Sequence, residues 1–228
     1  MRKMTFVVAV DARRWGARCC LWLAALLTVC GCSTSQKHDT VTIGDKLTQT
    51  LKPGELQAYG IAFITPASVT GQEEDRPALS LVFTETLAEL RPAVRVIPLN
   101  ETLSAISRAG ISEDYKLMMV DSRDSGLLNR STLSLVSKAT GVRYVAQLKM
   151  ASFHQDSEDR FSVLGLRLVQ TKKADIRVFL RIWDGDDGTI VWEGAYELYM
   201  AKETMTESAV SFRNVVEEAA RQLINRLP

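Results

Sequence analysis

The strongest constraint on the fold is a strict alternation of residue types over Ala174–Trp183. Aliphatic residues occupy every second position of this segment, at Ile176, Val178, Leu180 and Ile182. A period of two residues sends side chains alternately to the two faces of a strand, so the pattern predicts a strand with one buried face. Val142–Phe153 also alternates, and Thr189–Met200 returns after the turn Asp184–Gly188. We therefore predict a β-meander in the second half of the chain.

Apolar residues in the first half of the chain, and again at its end, recur instead at helical spacing. The predicted strands here are Tyr59–Ile64 and Val94–Ile97. One predicted helix begins at Asp75 and stops at Pro92, and the next runs from Asn100 to Gly110 with Leu103 and Ile106 facing inward. The others are Glu113–Val120, Ser131–Thr140 and a final helix that begins at Thr206. This order predicts an α/β (α+β) fold, in which helices pack on a mixed sheet and a final helix follows the C-terminal β-meander.

The N-terminal segment resembles the signal peptide of a bacterial lipoprotein. Basic residues precede the apolar run Leu21–Val29, which is too short to span a bilayer and is typical of a signal peptide. Val29-Cys30-Gly31-Cys32 then matches the lipobox, in which small residues precede the cysteine that receives the lipid. We predict a signal peptide over residues 1–31 and acyl chains such as palmitate on Cys32. A secretory signal cleaved elsewhere and an uncleaved N-terminal anchor are the alternatives.

The residues after Cys32 bear on location and on domain organisation. In enterobacterial lipoproteins an Asp at the next position favours the inner membrane; this chain has Ser33, so we expect the outer membrane, on its periplasmic face. Ser33–Thr40 is polar and small, and residues 32–55 are predicted to form the lipidated cysteine and a flexible tether. Residues 56–228 would then form a single periplasmic globular domain.

Charge and residue usage argue against several classes of function. Without residues 1–31 the chain has 23 basic and 26 acidic residues, a formal charge of −3 that does not favour nucleic-acid binding. The histidines are His38, in the predicted tether, and His154, in a predicted loop, and metal sites or catalytic triads usually need more. Because Cys32 is the only cysteine left after cleavage, its lipidation leaves no thiol nucleophile. We expect no catalytic residue, no metal and no cofactor, and therefore no enzymatic activity.

The second face of the predicted strand Ala174–Trp183 mixes cations with aromatic rings. Arg177, Phe179, Arg181 and Trp183 alternate with the aliphatic residues. Arginine and aromatic side chains are enriched where proteins bind one another, so these four residues are a candidate partner surface. The alternative is a sheet face packed under a helix, with the arginine stems lying flat.

Three short segments resemble motifs of a periplasmic superfamily with the fold of the TolB N-terminal domain, which includes the curli-secretion lipoprotein. They are Ala139–Val145, Arg181–Asp184 and Asp187–Trp192, and in the superfamily they form a helix that ends in Gly, a following strand and a hairpin. These motifs are structural, so the resemblance implies a fold and carries over no catalytic residue. Together with the predicted anchor and the lack of candidate catalytic residues, it favours the hypothesis of a membrane-anchored lipoprotein that acts as a non-catalytic interaction or assembly module in the cell envelope, with an envelope protein as its partner.

A subunit of a multimeric outer-membrane secretion pore is the alternative function. Phe161–Val169 is apolar and has about the length of one membrane strand, although the sequence offers no convincing partner strand. The identity of the partner and the oligomeric state stay open at the level of sequence.

Overall fold

The computed structural model of the chain describes residues 35–43, 49–68, 75–163, 166–204 and 211–228. The strands in these ranges are β1 (Ser35–Ile43), β2 (Ile61–Phe63), β3 (Ala67–Ser68), β4 (Val96–Ile97), β5 (Tyr144–Val163), β6 (Leu166–Asp184) and β7 (Ile190–Thr204). The helices are α1 (Glu55–Tyr59), α2 (Asp75–Leu90), α3 (Leu99–Arg108), α4 (Ser112–Ser125), α5 (Arg130–Thr140) and α6 (Phe212–Ile224). None of the described helices is long and apolar enough to cross a membrane.

The strands form one mixed sheet in the order β1-β7-β6-β5-β2-β4, and the short β3 lies beside β5. Pairing is antiparallel from β1 through β7 and β6 to β5, and parallel from β5 through β2 to β4. Within this part, β5, β6 and β7 are the predicted meander, because strands that are consecutive in the chain pair antiparallel. The α+β fold class, the mixed sheet and the final helix are all confirmed.

The two faces of the sheet bury separate hydrophobic cores. Helices α2 and α6 contribute to the first core, which also contains the four aliphatic residues predicted to face inward from β6. Residues of α3, α4 and α5 form the second core on the other face, with Met118 of α4 and Leu133 of α5 among its most buried members. A sheet covered by helices on both faces can bury apolar residues at every position, and this accounts for the fully buried β2.

The predicted flexible tether is wrong for the residues that the structure describes. Ser35–Ile43 forms the edge strand β1, whose backbone pairs with β7 from Ser35 opposite Lys202 to Ile43 opposite Gly194. Further along, the backbone N–H groups of Thr50 and Leu51 donate to the carbonyl of Val191. A polar composition suits an edge strand, since one side of its backbone faces water. The polarity that indicates a linker is therefore equally compatible with this position.

Phe161–Val169, considered above as one membrane strand of a pore, is not a single strand, because it is divided between β5 and β6. β5 ends at Val163, β6 begins at Leu166, and Phe161 lies opposite Val169 in the register. Both halves of the apolar segment thus pair with each other, which supplies the partner that the sequence lacked. His154 lies within β5, opposite Asp175, and not in a loop.

Helix α3 corrects a further expectation about orientation. It begins at Leu99, so Asn100 lies inside the helix and Pro98 occupies the capping position. The buried stripe runs through Thr102, Ala105 and Ile106, whereas Leu103 is 39% exposed. Leu103 is displaced from that stripe by about 100° around the helix axis, so the inward position falls to its polar neighbour Thr102.

Candidate functional site

The four residues of the predicted partner surface share one face of β6, but they are not equally accessible. Arg177 is exposed, Phe179 and Arg181 are half-buried, and Trp183 is only 1% exposed. Trp183 belongs to the second core, together with residues of α4 and α5. Its assignment to a partner surface is therefore wrong, because helices cover this end of β6 while Arg177 stays open to solvent.

Trp183 is hydrogen-bonded to Gln147, its neighbour on β5. The indole Nε1 of Trp183 donates a hydrogen bond to Oε1 of Gln147 at 3.2 Å, and Gln147 is only 7% exposed. An indole N–H can only donate, so chemistry requires the amide oxygen of Gln147 to face it. The amide nitrogen of Gln147 then has no hydrogen-bond partner within the described part of the chain.

A cavity of about 240 Å³ opens on this face, between β5, β6 and the end of α4. Its lining includes Arg123 and Gly126 from the end of α4, Gln147 and Lys149 from β5, and Phe179 and Arg181 from β6. Lys149 pairs with β3, just beyond the carboxyl end of the parallel strand β2. In open α/β sheets, the crevice outside the carboxyl ends of the parallel strands is where ligands bind.

Three cations converge on the cavity, and among the described residues one of them has an ion-pair partner. Nε of Arg181 donates to Oε1 of Glu193 at 2.7 Å. Arg123 and Lys149 are both exposed, and neither has an ion-pair partner among the residues with described positions. With Glu193 included, the cavity and its rim carry two net positive formal charges, although residues 32–228 as a whole are acidic.

The start of α4 is held by a pair of hydrogen bonds to the segment that follows β2. The backbone N–H of Thr65, just after β2, donates to the Tyr115 hydroxyl at 2.9 Å, and that hydroxyl donates to Oγ1 of Thr65 at 2.8 Å. Burial raises the pKa of the Tyr115 hydroxyl, so the group stays neutral and keeps its donor proton. The first turn of α4 is thus attached to the end of β2, while the last turn of the same helix lines the cavity.

Beyond the cavity, the same face of the sheet continues as an exposed strip of aromatic and charged residues. The Arg177 guanidinium lies 5.8 Å from the centroid of the Phe179 ring, and its Nη2 lies 3.7 Å from Oε2 of Glu197 on β7. Tyr199, two residues further along β7, is 39% exposed. We call the cavity residues together with this strip the open face.

The cavity residues Arg123, Gln147 and Lys149 were missed by reasoning from the sequence. Gln147 and Lys149 could have been found, because they alternate with aliphatic residues along the predicted strand Val142–Phe153. Arg123 carries no such signal. It reaches the cavity only because α4 packs across the sheet, which is a tertiary contact.

A second polar cluster lies at the other end of β5 and β6. The Asp184 side chain is 4% exposed and accepts from the Arg143 guanidinium, with Nη2 at 2.6 Å from Oδ2 and Nε at 3.1 Å from both carboxylate oxygens. These hydrogen bonds raise the pKa of Arg143. The guanidinium also lies over the rings of Tyr59 and Tyr144, at 5.2 and 5.5 Å from their centroids. Asp184 is therefore part of a buried ion pair and not simply a turn residue.

Tyr144 extends this cluster to helix α1. Its hydroxyl donates to Oε2 of Glu55 at 3.1 Å, and burial, assisted by this hydrogen bond, raises the pKa of Tyr144 to about 12. The backbone N–H of Lys52 donates to the same Glu55 oxygen at 2.8 Å and lowers the pKa of Glu55. The cluster joins α1, β5 and β6 through groups that satisfy one another, which is the arrangement of a structural network.

The described residues contain no group of three or more His, Cys, Asp or Glu side chains placed to hold a metal ion. Cys32 and the predicted signal peptide lie outside the described residues. Lipidation of Cys32 therefore stays a prediction from the sequence.

No family model and no curated protein sequence matches the chain. Among solved structures it is similar to the PelC dodecamer from Paraburkholderia phytofirmans, with a TM-score of 0.44 and 12% identity over 85% of this chain and 97% of that one. It is also similar to lipoprotein GNA1162 from Neisseria meningitidis, with a TM-score of 0.39 and 12% identity over 74% and 96% of the two chains. These likenesses are too distant to carry an argument about function, and membership of the TolB-like superfamily stays a prediction.

Proposed function

We propose that this chain is a lipid-anchored protein of the cell envelope that acts without catalysis, by binding a partner on the open face of its sheet. The lipid is attached to Cys32, and the domain faces the periplasm from the outer membrane. The lipobox supports the anchor, and the open face supports the binding role.

The cavity, lined by two cations that have no ion-pair partner in the described part of the chain, is the observation that carries this proposal. Arginine and aromatic side chains around a concave site are typical of surfaces that contribute most to protein binding. Here Arg123 and Phe179 line such a site, and the exposed Tyr199 continues the surface beyond it. Leu127, which directly follows the cavity residue Gly126, is 63% exposed and adds an apolar side chain at the rim.

The position of β1 shapes what the anchor would do. Only Ser33 and Thr34 separate Cys32 from the start of β1 at Ser35. A lipid on Cys32 would therefore hold the sheet without a long linker.

The anchor is tested by acyl-chain labelling of intact cells that produce the full chain. Cys32→Ser should abolish labelling and release the protein from the membrane fraction. Cys30→Ser is the matched control, since it changes the other lipobox cysteine and should leave labelling intact. Labelling that persists in Cys32→Ser would show that the anchor has been placed wrongly.

The partner face is tested by site-specific photo-crosslinking in cells. A crosslinking amino acid at Leu127 lies at the cavity rim, and the control position is Leu81, which is 51% exposed on α2, against the other face of the sheet. A discrete adduct from Leu127 and none from Leu81 is the expected result. No adduct from either position, or the same adducts from both, would refute binding at the open face.

The alternative function, a subunit of a secretion pore, predicts a different result. A detergent-dependent ring formed by Cys32→Ser protein would favour the pore instead.

A further inference from the structure

We propose that the cavity beside α4 binds the carboxylate groups of an acidic peptide segment presented by the partner protein. This inference rests on the proposed function, because it assigns a chemistry to whatever the open face receives. Three features of the described residues support it: two exposed cations without an ion-pair partner, an amide donor that faces the cavity, and an apolar rim.

The cations are placed so that they can act together on one ligand. In the register, Lys149 lies opposite Phe179 and Gln147 lies opposite Arg181, and directly opposed residues share a face of the sheet. The Nε of Arg181 is held by Glu193, which orients the guanidinium and leaves its other N–H groups available. Arg123 reaches the same cavity from α4. A carboxylate there would meet donors from three directions.

Gln147 indicates that the cavity receives a hydrogen-bond acceptor. Its oxygen is committed to Trp183, its side chain is more than nine-tenths buried, and it lines the cavity. Its amide nitrogen has no hydrogen-bond partner among the described residues and is not one of their fully buried unpartnered atoms, so it is open to the cavity. A carboxylate oxygen can only accept, so it is the complement of this N–H₂ group and of the cations around it.

The end of α4 opposes an anion, but more weakly than the cations favour it. The cavity touches the last turn of the helix at Arg123 and Gly126, where free carbonyl groups concentrate negative charge. A helix C-terminus is equivalent to about −0.5 of a charge and acts over about one turn. The two net positive charges of the cavity exceed this, so the site selects anions.

Size and surroundings point to a peptide. The cavity of about 240 Å³ is below the range of about 300–1,000 Å³ that is usual for whole small-molecule ligands, so it suits one or two acidic side chains. Phe179 in its lining and the exposed Leu127 beside it suit apolar neighbours of those side chains. The formal charge of −3 on residues 32–228 disfavours the binding of long polyanions, because these would extend beyond the cavity and be repelled by the net charge of the domain.

The test measures peptide binding to the full chain in non-ionic detergent by fluorescence anisotropy. The probe is the peptide Gly-Leu-Glu-Gly-Glu-Leu with a blocked C-terminus and an uncharged dye, and its control has Gln in place of both Glu residues. We expect the Glu peptide to bind at least about ten-fold more tightly, and its affinity to fall as salt rises.

Variants of the chain locate the binding. Lys149→Gln and Arg123→Gln should each weaken binding of the Glu peptide by about three- to ten-fold, because each removes one exposed cation from the cavity. Lys138→Gln is the matched control, since it removes an exposed lysine from α5 that does not line the cavity, and it should leave affinity unchanged. Thermal melting of each variant checks that the fold is retained.

Equal binding of the two peptides, or equal effects of Lys149→Gln and Lys138→Gln, would overturn the inference. Tighter binding of inorganic phosphate or of polygalacturonate than of the Glu peptide, lost in Lys149→Gln, would overturn it as well, because the cavity would then serve another anion. If the Glu peptide fails to bind while the Leu127 crosslink persists in cells, the peptide chemistry is wrong and the proposed function survives. If both fail, the proposed function is wrong too.

Discussion

The ion pair between Arg143 and Asp184 offers the sharpest test of how this fold is stabilised. Arg143→Met keeps most of the side-chain length but removes the guanidinium. The Asp184 carboxylate, 4% exposed, would then lose all three hydrogen bonds from Arg143 and keep the backbone N–H of Asp186 at 2.9 Å. A buried charge without its counter-ion is strongly destabilising.

The magnitude follows from the burial of the two partners. Removing one member of a buried pair typically destabilises a protein by about 3–5 kcal/mol. The Arg143 side chain is 33% exposed, so water can partly replace it, and we expect about 3 kcal/mol, at the low end of that range. In a domain of this size, that corresponds to a fall in Tm of about 6–12 °C.

Urea unfolding, followed by circular dichroism, measures this change. Arg213→Met is the matched control, because Nη2 of Arg213 also lies 2.6 Å from its partner Glu85, yet both side chains are about half exposed. Exposed pairs contribute about 0–1 kcal/mol, so this variant should change stability little. Combining Arg143→Met with Asp184→Asn should recover at least about half of the loss, since the buried charge is then gone. Equal losses in the two single variants would refute the argument from burial.

Three further predictions address packing, backbone conformation and pH. Leu133→Ala should destabilise the fold by about 2–5 kcal/mol because its side chain is fully buried, whereas Leu135→Ala on the same helix, 37% exposed, should cost less than about 1 kcal/mol in thermal unfolding. Gly60 and Gly110 both have φ of +71°, and Gly110→Ala should lower the free energy of unfolding by about 1 kcal/mol. Gly60→Ala should lower it by more than about 2 kcal/mol, because the new Cβ would lie 2.7 Å from a side-chain carbon of the packed core. Equal losses of stability in the two variants would contradict this. The raised pKa of Tyr144 means that its neutral form stabilises the fold. This contribution should be fully present below pH 10 and should be lost as the pH rises toward about 12. Tyr144→Phe should flatten this pH dependence of stability in urea titrations, and an unchanged slope would argue against it.

Local periodicity accounts for the elements that could be predicted. The alternation over Ala174–Trp183 identified β6, and its aliphatic residues are buried as expected. Both ends of α5 could also be predicted from the sequence. Asn129 accepts a hydrogen bond from the backbone N–H of Thr132 at the start of the helix, and Gly141 has φ of +69° at its end. Such signals depend on a few adjacent residues, so they are visible in the sequence.

The errors arose where a segment takes its structure from a distant partner. Ser35–Ile43 has the composition of a linker and is a strand because the free edge of β7 pairs with it. Trp183 alternates with Ile182 like the residues before it, yet helices from the middle of the chain cover it. A strand pattern says which residues share a face, but not whether anything covers that face.

The candidate site shows the same division most clearly. By itself, the sequence determined the alternating faces of β6, the signals that end its helices and the lipobox at Cys32, because each is set by neighbours along the chain. Tertiary structure alone decided that Trp183 is buried, that Gln147 lines a cavity, and that Arg123 joins Lys149 around it. Those facts depend on how α4 packs across strands that are distant in the chain, and long-range packing of this kind leaves no periodic trace in the sequence.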